Sequence, residues 1–168
     1  MLRVFFCPIF SNQGIQIAIN INRVKELDIL AYAGDNIHWL ENDGGHKQVA
    51  QNLKTTLVQK DSNNELCSKT SCFDEIMLLD LPELIKQQDG TDQLYALHLI
   101  GSHGPTYYQR YPAQHELFTP SCNRSDIENC TDEEIINVYD NTIAYTDYVL
   151  AQAITLLEQY QDSYNVAL

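Results

Sequence analysis

The sequence has 168 residues, 44% of them hydrophobic and 20% charged, with a formal net charge of -13. That is enough chain for one domain with a real core, and too apolar a chain for a disordered one. The acidic excess excludes nucleic acid as a partner, since a phosphate backbone demands clustered Lys and Arg, and gives no attraction to an anionic membrane; its plain account is a soluble acidic surface.

Residues 1–12 read as the end of a loop entering something longer. The opening MLRVFFCPIF lacks the apolar core and small-residue cleavage site of a signal peptide. No run is long enough to cross a bilayer. Residues 23–33 place Val24, Leu27, Leu30 and Ala31 at helical spacing, with Gly34 positioned as the C-cap. Residues 36–40, NIHWL, form a short strand that runs into Glu41-Asn42-Asp43-Gly44-Gly45-His46-Lys47. Helix, glycine turn, strand and polar loop make one α/β unit. Amides freed by Gly44 and Gly45, with Lys47 beside them, can hold a phosphate. An ordinary Asp-Gly turn accounts for the same residues.

Residues 60–72 are polar and read as a surface loop. From 73 to 88, Ile76, Leu79, Leu81, Leu84 and Ile85 recur at helical spacing, with Pro82 expected to break the helix or start a second one and Asp89-Gly90 to end it. Leu94 to Ile100 suits a buried strand, stopped by Gly101-Ser102-His103-Gly104-Pro105. His103 therefore stands at the carboxyl end of a strand, the edge where open α/β sheets bind ligands. An imidazole there can ligate a metal or carry a proton; the plainer account is a loop histidine capping a turn. Ser102 and His103 do not suggest a serine hydrolase, because there is no G-x-S-x-G elbow.

The aromatic stretch 106–119, with Tyr107, Tyr108, Arg110, Tyr111 and Phe118, reads as an irregular segment over that site. Thr131-Asp132-Glu133-Glu134 is a capping box, and a helix is predicted from there to about Gln159. Its expected apolar stripe is Ile135, Tyr139, Ile143, Val149, Ile154 and Leu157, widened by Ile136, Leu150 and Ala153. Asp140 within it could be a ligand, with a solvated or capping carboxylate as the plainer account. Residues 164–168 look like a strand just begun.

Of the five cysteines, Cys67 and Cys72 lie close together in one polar loop and Cys122 and Cys130 in another. Two such pairs suggest disulfide-closed loops of an exported protein. Zinc is the alternative, although neither pair has C-x-x-C spacing. Cys7 is left over. An exported character without an export signal, and a strand begun at the last residues, lead to the expectation of an internal piece of a longer protein.

Several motifs together resemble one family. They are His38-Trp39-Leu40-Glu41-Asn42-Asp43-Gly44-Gly45, Cys67 and Cys72 followed by Phe73-Asp74-Glu75, and Leu97-His98-Leu99-Ile100-Gly101-Ser102-His103-Gly104-Pro105. Tyr107-Tyr108-Gln109-Arg110-Tyr111-Pro112, Phe118-Thr119-Pro120-Ser121-Cys122 and Tyr139-Asp140-Asn141-Thr142 follow in order. As a set they resemble the catalytic domain of the bacterial phosphoethanolamine–lipid A transferases, the kind linked to polymyxin resistance.

The resemblance implies an α/β fold of the alkaline phosphatase and sulfatase kind, here a partial sheet flanked by helices, with residues 1–168 as the central part of a periplasmic catalytic domain. It implies a zinc-activated Thr that moves phosphoethanolamine from phosphatidylethanolamine to lipid A, at the periplasmic face of the inner membrane. It places Lys47 against the substrate phosphate and His103 against that phosphate or a second zinc, with Asn42 and Asp43 in the same substrate-side loop as Lys47. It matches Cys67–Cys72 and Cys122–Cys130 to two family disulfides, and Cys7 to a cysteine paired further upstream. The family's nucleophilic Thr, its zinc-binding Glu and the Asp-His of its Ser-Asp-His-Gly motif have no counterpart in these residues. The expectations are therefore that the chain alone is inactive and does not hold zinc tightly, and that membrane attachment comes only through an N-terminal domain not in this sequence. The alternatives are a non-catalytic remnant and a module that binds phospholipid head groups.

Overall fold

The computed structural model describes residues 2–6, 26–57, 64–87 and 91–167. Cys7, residues 23–25 of the first expected helix, and Asp89-Gly90 lie outside the described residues.

The chain begins with a strand, β1 (Leu2–Phe6), where a loop end was expected. Next come α1 (Glu26–Ala33), β2 (Asn36–Glu41), β3 (Lys54–Leu57), α2 (Met77–Lys86), β4 (Gln93–His98), α3 (Asp132–Glu158) and β5 (Val166–Ala167). The five strands form one sheet in the order β3-β2-β4-β1-β5, and each strand runs parallel to its neighbours. All six residues of β4 are buried. That is why the sequence there is a nearly unbroken apolar run, as in parallel sheets covered on both faces.

The two faces have separate cores. Ile37, Trp39, Leu94 and Ala96 pack with Leu27 and Leu30 of α1. Leu40, Tyr95 and Leu97 pack with Leu81 and Ile85 of α2 and Val138, Tyr145, Val149 and Leu157 of α3. The result is a sheet between helical layers, with β2 and β4 adjacent and both ending at the same edge.

Local signals act as expected at helix ends. Gly34 takes φ +106°, and the amides of Gly34 and Asp35 bond back to Ala31 and Leu30, closing α1. The Thr131 hydroxyl accepts the Glu134 amide, while the Glu134 carboxylate accepts the Thr131 amide. α2 differs from expectation: Pro82 neither breaks the helix nor starts another, but stands inside it. Its turn is held from both sides by Met77, Leu81 and Ile85, which are all buried on one face. β3 is a strand that the sequence pattern did not mark.

The expected stripe of α3 is corrected. Val149, Ala153 and Leu157 are buried, but Ile136, Ile143 and Ile154 are exposed. The buried face instead includes Val138, Asn141, Thr142 and Tyr145. Asn141 is selected by hydrogen bonding: its Oδ1 accepts the amides of Leu117 and Phe118, and its Nδ2 donates to the Phe118 carbonyl. Accordingly, Val138→Ala is expected to cost about 2 kcal/mol in urea unfolding, and Ile143→Ser no more than about 0.5 kcal/mol. Equal losses would restore the stripe expected from the sequence.

Candidate active site

The parallel register sets Glu41 at the end of β2 opposite His98 at the end of β4. Both are almost fully buried. Glu41 Oε2 accepts the Trp39 indole N–H at 2.8 Å and lies 2.7 Å from His98 Nδ1, while Oε1 accepts the Asp43 amide at 2.7 Å. Burial by itself would raise the Glu41 pKa. The bonds from Trp39, His98 and the Gly45 amide outweigh it and hold the carboxyl below its ordinary range. A buried carboxylate thus anchors the start of the 42–47 turn.

The turn is built on left-handed backbone. Gly44 and Gly45 have φ of +75° and +125°, and Lys47 and Gln48 take +46° and +65°. For two side-chain-bearing residues in succession this is uncommon, and such strain gathers at functional sites. Lys47 extends over the turn, half exposed, with Nζ donating to the Asp43 carbonyl at 3.2 Å. The Asp43 carboxylate lies beneath it, with Oδ2 4.0 Å from Lys47 Nζ and 3.8 Å from His98 Nε2. Asn42 turns away from this pair. Its Nδ2 donates to Asp74 Oδ1 at 2.7 Å and to the Cys72 carbonyl at 3.1 Å.

Asp74 is the second buried carboxylate, and it joins three segments. It accepts Asn42 from the β2 loop and the amides of Ile100 and Gly101, at 2.9 and 2.8 Å, from the turn after β4. Burial raises its pKa, against the hydrogen bonds from Asn42, Ile100 and Gly101 and the charge of Arg110. It lies two residues after Cys72 of the Cys67–Cys72 disulfide, so that bridge fixes the segment from which Asp74 projects. The other expected pair, Cys122–Cys130, is also a disulfide and closes the loop before α3. Both pairings agree with the disulfide reading of the sequence and displace the zinc reading at these cysteines.

Past β4, the His103 amide bonds to the Ile100 carbonyl, closing the turn, and the imidazole is exposed. Gly104 is required here: a Cβ would come within 2.6 Å of the Tyr107 ring. Ser102 is bonded by the Thr142 hydroxyl at 2.7 Å. Arg110 clamps the turn, donating from Nε to the His103 carbonyl at 2.8 Å and from Nη2 to Thr106 at 3.1 Å. Burial lowers its pKa, while the charges of Asp74 and Asp43 act to raise it.

The edge above β2 and β4 therefore carries Lys47, Asp43, His103 and Arg110, on a floor set by Glu41, His98 and Asp74. Such an arrangement can hold an anion against two cations while Asp43 keeps the local charge from accumulating. Of the expected site residues, Lys47, Asp43 and His103 stand on the loops at this edge, and Asn42 in the same loop turns to Asp74 and the Cys72 carbonyl. Nothing in the sequence pattern marks Glu41, His98, Asp74 or Arg110 as their neighbours. The signal available was an ionisable residue, His98, inside an otherwise apolar run, since a buried polar group requires a partner.

Zinc, implied by the resemblance, does not fit the donors present. Among the described residues no three His, Cys, Asp or Glu side chains gather as a metal set. The pair His98 Nε2 and Asp43 Oδ2 has the Lys47 ammonium beside it. No described helix is long and apolar enough to cross a membrane.

This fold is that of the sulfatases, whose family model, "Sulfatase", matches residues 27–168, and the chain belongs to that family. By homology it falls with the phosphoethanolamine transferases. It is 42% identical over 142 residues to phosphoethanolamine transferase EptA of Escherichia coli K12, which is 84% of this chain and 26% of that protein. It is 32% identical over 148 residues to phosphatidylethanolamine transferase Mcr-1 of Escherichia coli, 84% of this chain and 27% of that one. Among solved structures, the integral membrane protein lipooligosaccharide phosphoethanolamine transferase A of Neisseria meningitidis aligns with TM-score 0.74 and 40% identity, covering 81% of this chain and 25% of that one. The C-terminal periplasmic domain of phosphoethanolamine transferase EptC from Campylobacter jejuni aligns with TM-score 0.70 and 36% identity, over 83% and 42%. The chain thus spans about a quarter of the length of the curated relatives it matches.

Proposed function

We propose that these residues are the central part of a periplasmic catalytic domain that moves phosphoethanolamine from phosphatidylethanolamine to lipid A at the inner membrane. The observation that supports this most directly is the strand-end edge itself, where Lys47 and Arg110 stand over the braced carboxylates Glu41 and Asp74. In this reading the Lys47 ammonium holds the phosphate of the phosphoethanolamine group, and the exposed His103 imidazole donates to a second phosphate oxygen. Arg110 keeps the His103 turn in place and adds positive potential where charge develops during phosphoryl transfer. Asn42 supports the site from below, and Asp43 balances the Lys47 charge. Zinc bound by the intact enzyme would activate its nucleophilic threonine, and both would come from parts of that enzyme other than these residues.

The test is titration of the purified chain with O-phosphoethanolamine and, separately, with zinc. Saturable head-group binding is expected, weakened about tenfold or more in Lys47→Ala and in His103→Ala. Zinc uptake is expected to be weak and transfer activity nil. Binding that survives in the double variant would remove the site assignment, and stoichiometric tight zinc together with transfer would show a chain competent by itself.

A further inference from the structure

Asp43 Oδ2 stands between two cation-forming groups and is hydrogen-bonded to neither, at 3.8 Å from His98 Nε2 and 4.0 Å from Lys47 Nζ. His98 Nε2 is buried and has no hydrogen-bond partner. A buried polar nitrogen of this kind calls for an explanation. Its other nitrogen is committed: Nδ1 faces Glu41 Oε2 at 2.7 Å, and Glu41 also accepts from Trp39 and from the Asp43 amide, groups that can only donate. An ionised Glu41 takes the hydrogen bond from Nδ1–H, and with a second proton on Nε2 the imidazolium aims an N–H at Asp43. The groups facing His98 are thus Glu41 and the Trp39 ring from β2 and Asp43 from the turn, with Lys47 and Arg110 beyond Asp43.

We propose that His98, braced by Glu41, is a positioning residue for the phosphate-facing lysine, and that it acts by competing with Lys47 for the Asp43 carboxylate. With Asp43 drawn towards His98, the Lys47 ammonium is released to a phosphate monoester. With Asp43 drawn towards Lys47, the ammonium is neutralised where it stands. The inference rests on the reading of Lys47 given above and adds to it a device that sets how much of the lysine's charge a ligand meets.

The experiment measures the affinity of the purified chain for O-phosphoethanolamine and for inorganic phosphate. The two probes share the phosphate and separate a head-group site from a simple anion site. In His98→Gln, affinity for both is expected to fall about tenfold, because a neutral amide draws Asp43 from Lys47 far less than an imidazolium does. Adding Asp43→Asn is expected to restore it, which a merely structural role for His98 would not allow. In Lys47→Ala, the further change His98→Gln is expected to have no effect. A loss in His98→Gln that Asp43→Asn leaves uncorrected, or no loss at all, overturns the proposal while the Lys47 reading stands. Wild-type affinity in Lys47→Ala overturns both. Should His98→Gln not fold, the histidine 15N spectrum of the wild-type chain decides. The Nε2 resonance of His98 is expected to move when phosphate is added, and a resonance that stays in place overturns the proposal.

Discussion

Replacing Asp74 with alanine is expected to lower stability by about 3 kcal/mol and the melting temperature by roughly 6–12 °C for a chain of this size. The side chain is buried and takes hydrogen bonds from Asn42, Ile100 and Gly101. Truncation leaves these donors without their acceptor, a larger loss than the net contribution of the bonds themselves. Asn42 also loses its orientation, so the loop after β2 and the turn after β4 are released together. Asp74→Asn is expected to recover only part of the loss, because one oxygen remains for Asn42 and Ile100 while its NH2 would face the Gly101 amide, another donor. Urea unfolding monitored by Trp39 fluorescence measures the loss. A deficit under about 1 kcal/mol would show that the three segments are held by packing instead.

The second large effect is at Glu41, and it depends on pH. The folded protein holds this carboxyl below its ordinary range, so the anion is favoured by folding. The stabilisation is therefore present above the usual carboxylate pKa and is lost as pH falls through the depressed folded value. Glu41→Gln is expected to cost about 2–3 kcal/mol at neutral pH, because the amide cannot accept from Trp39, His98 and Asp43 together. The gap between wild type and variant is expected to narrow as pH is lowered from about 5 to about 3. Stability curves over that range check it, and a gap that stays constant with pH would assign the Glu41 contribution to shape and not to charge.

The features that could be read from the sequence were those with local causes. The Thr131–Glu134 capping box, the Gly34 cap and the strand breaks at Gly101 and Gly104 are each fixed within a few residues, and the structure contains them all. What escaped was set by pairing at a distance. Glu41 reads as the first polar residue of a loop until the parallel register puts it against His98, 57 positions away. Asp74 carries no local signal of its partners, because the turn after β4 that closes on it lies 26 and 27 positions away. The α3 stripe failed for the same reason: hydropathy favours Ile143 over Asn141, but Asn141 is the residue whose four polar contacts secure the 117–118 backbone and Tyr111. The loop positions of Lys47 and His103, by contrast, are legible, because turn glycines and a strand end announce exposed loops.

The strand order also bears on how the chain comes to be folded. Among the described residues β1 pairs with β4 and β5, and β2 with β3 and β4. Emerging from a ribosome or translocon N-terminus first, β1 meets neither partner until the chain has been delivered through His98. At about 5–20 residues per second that is a wait of several seconds, during which an apolar strand lies open to other chains. A chain with this strand order is expected to gain from holdase chaperones during its synthesis, with yield set by the time β1 waits as well as by final stability.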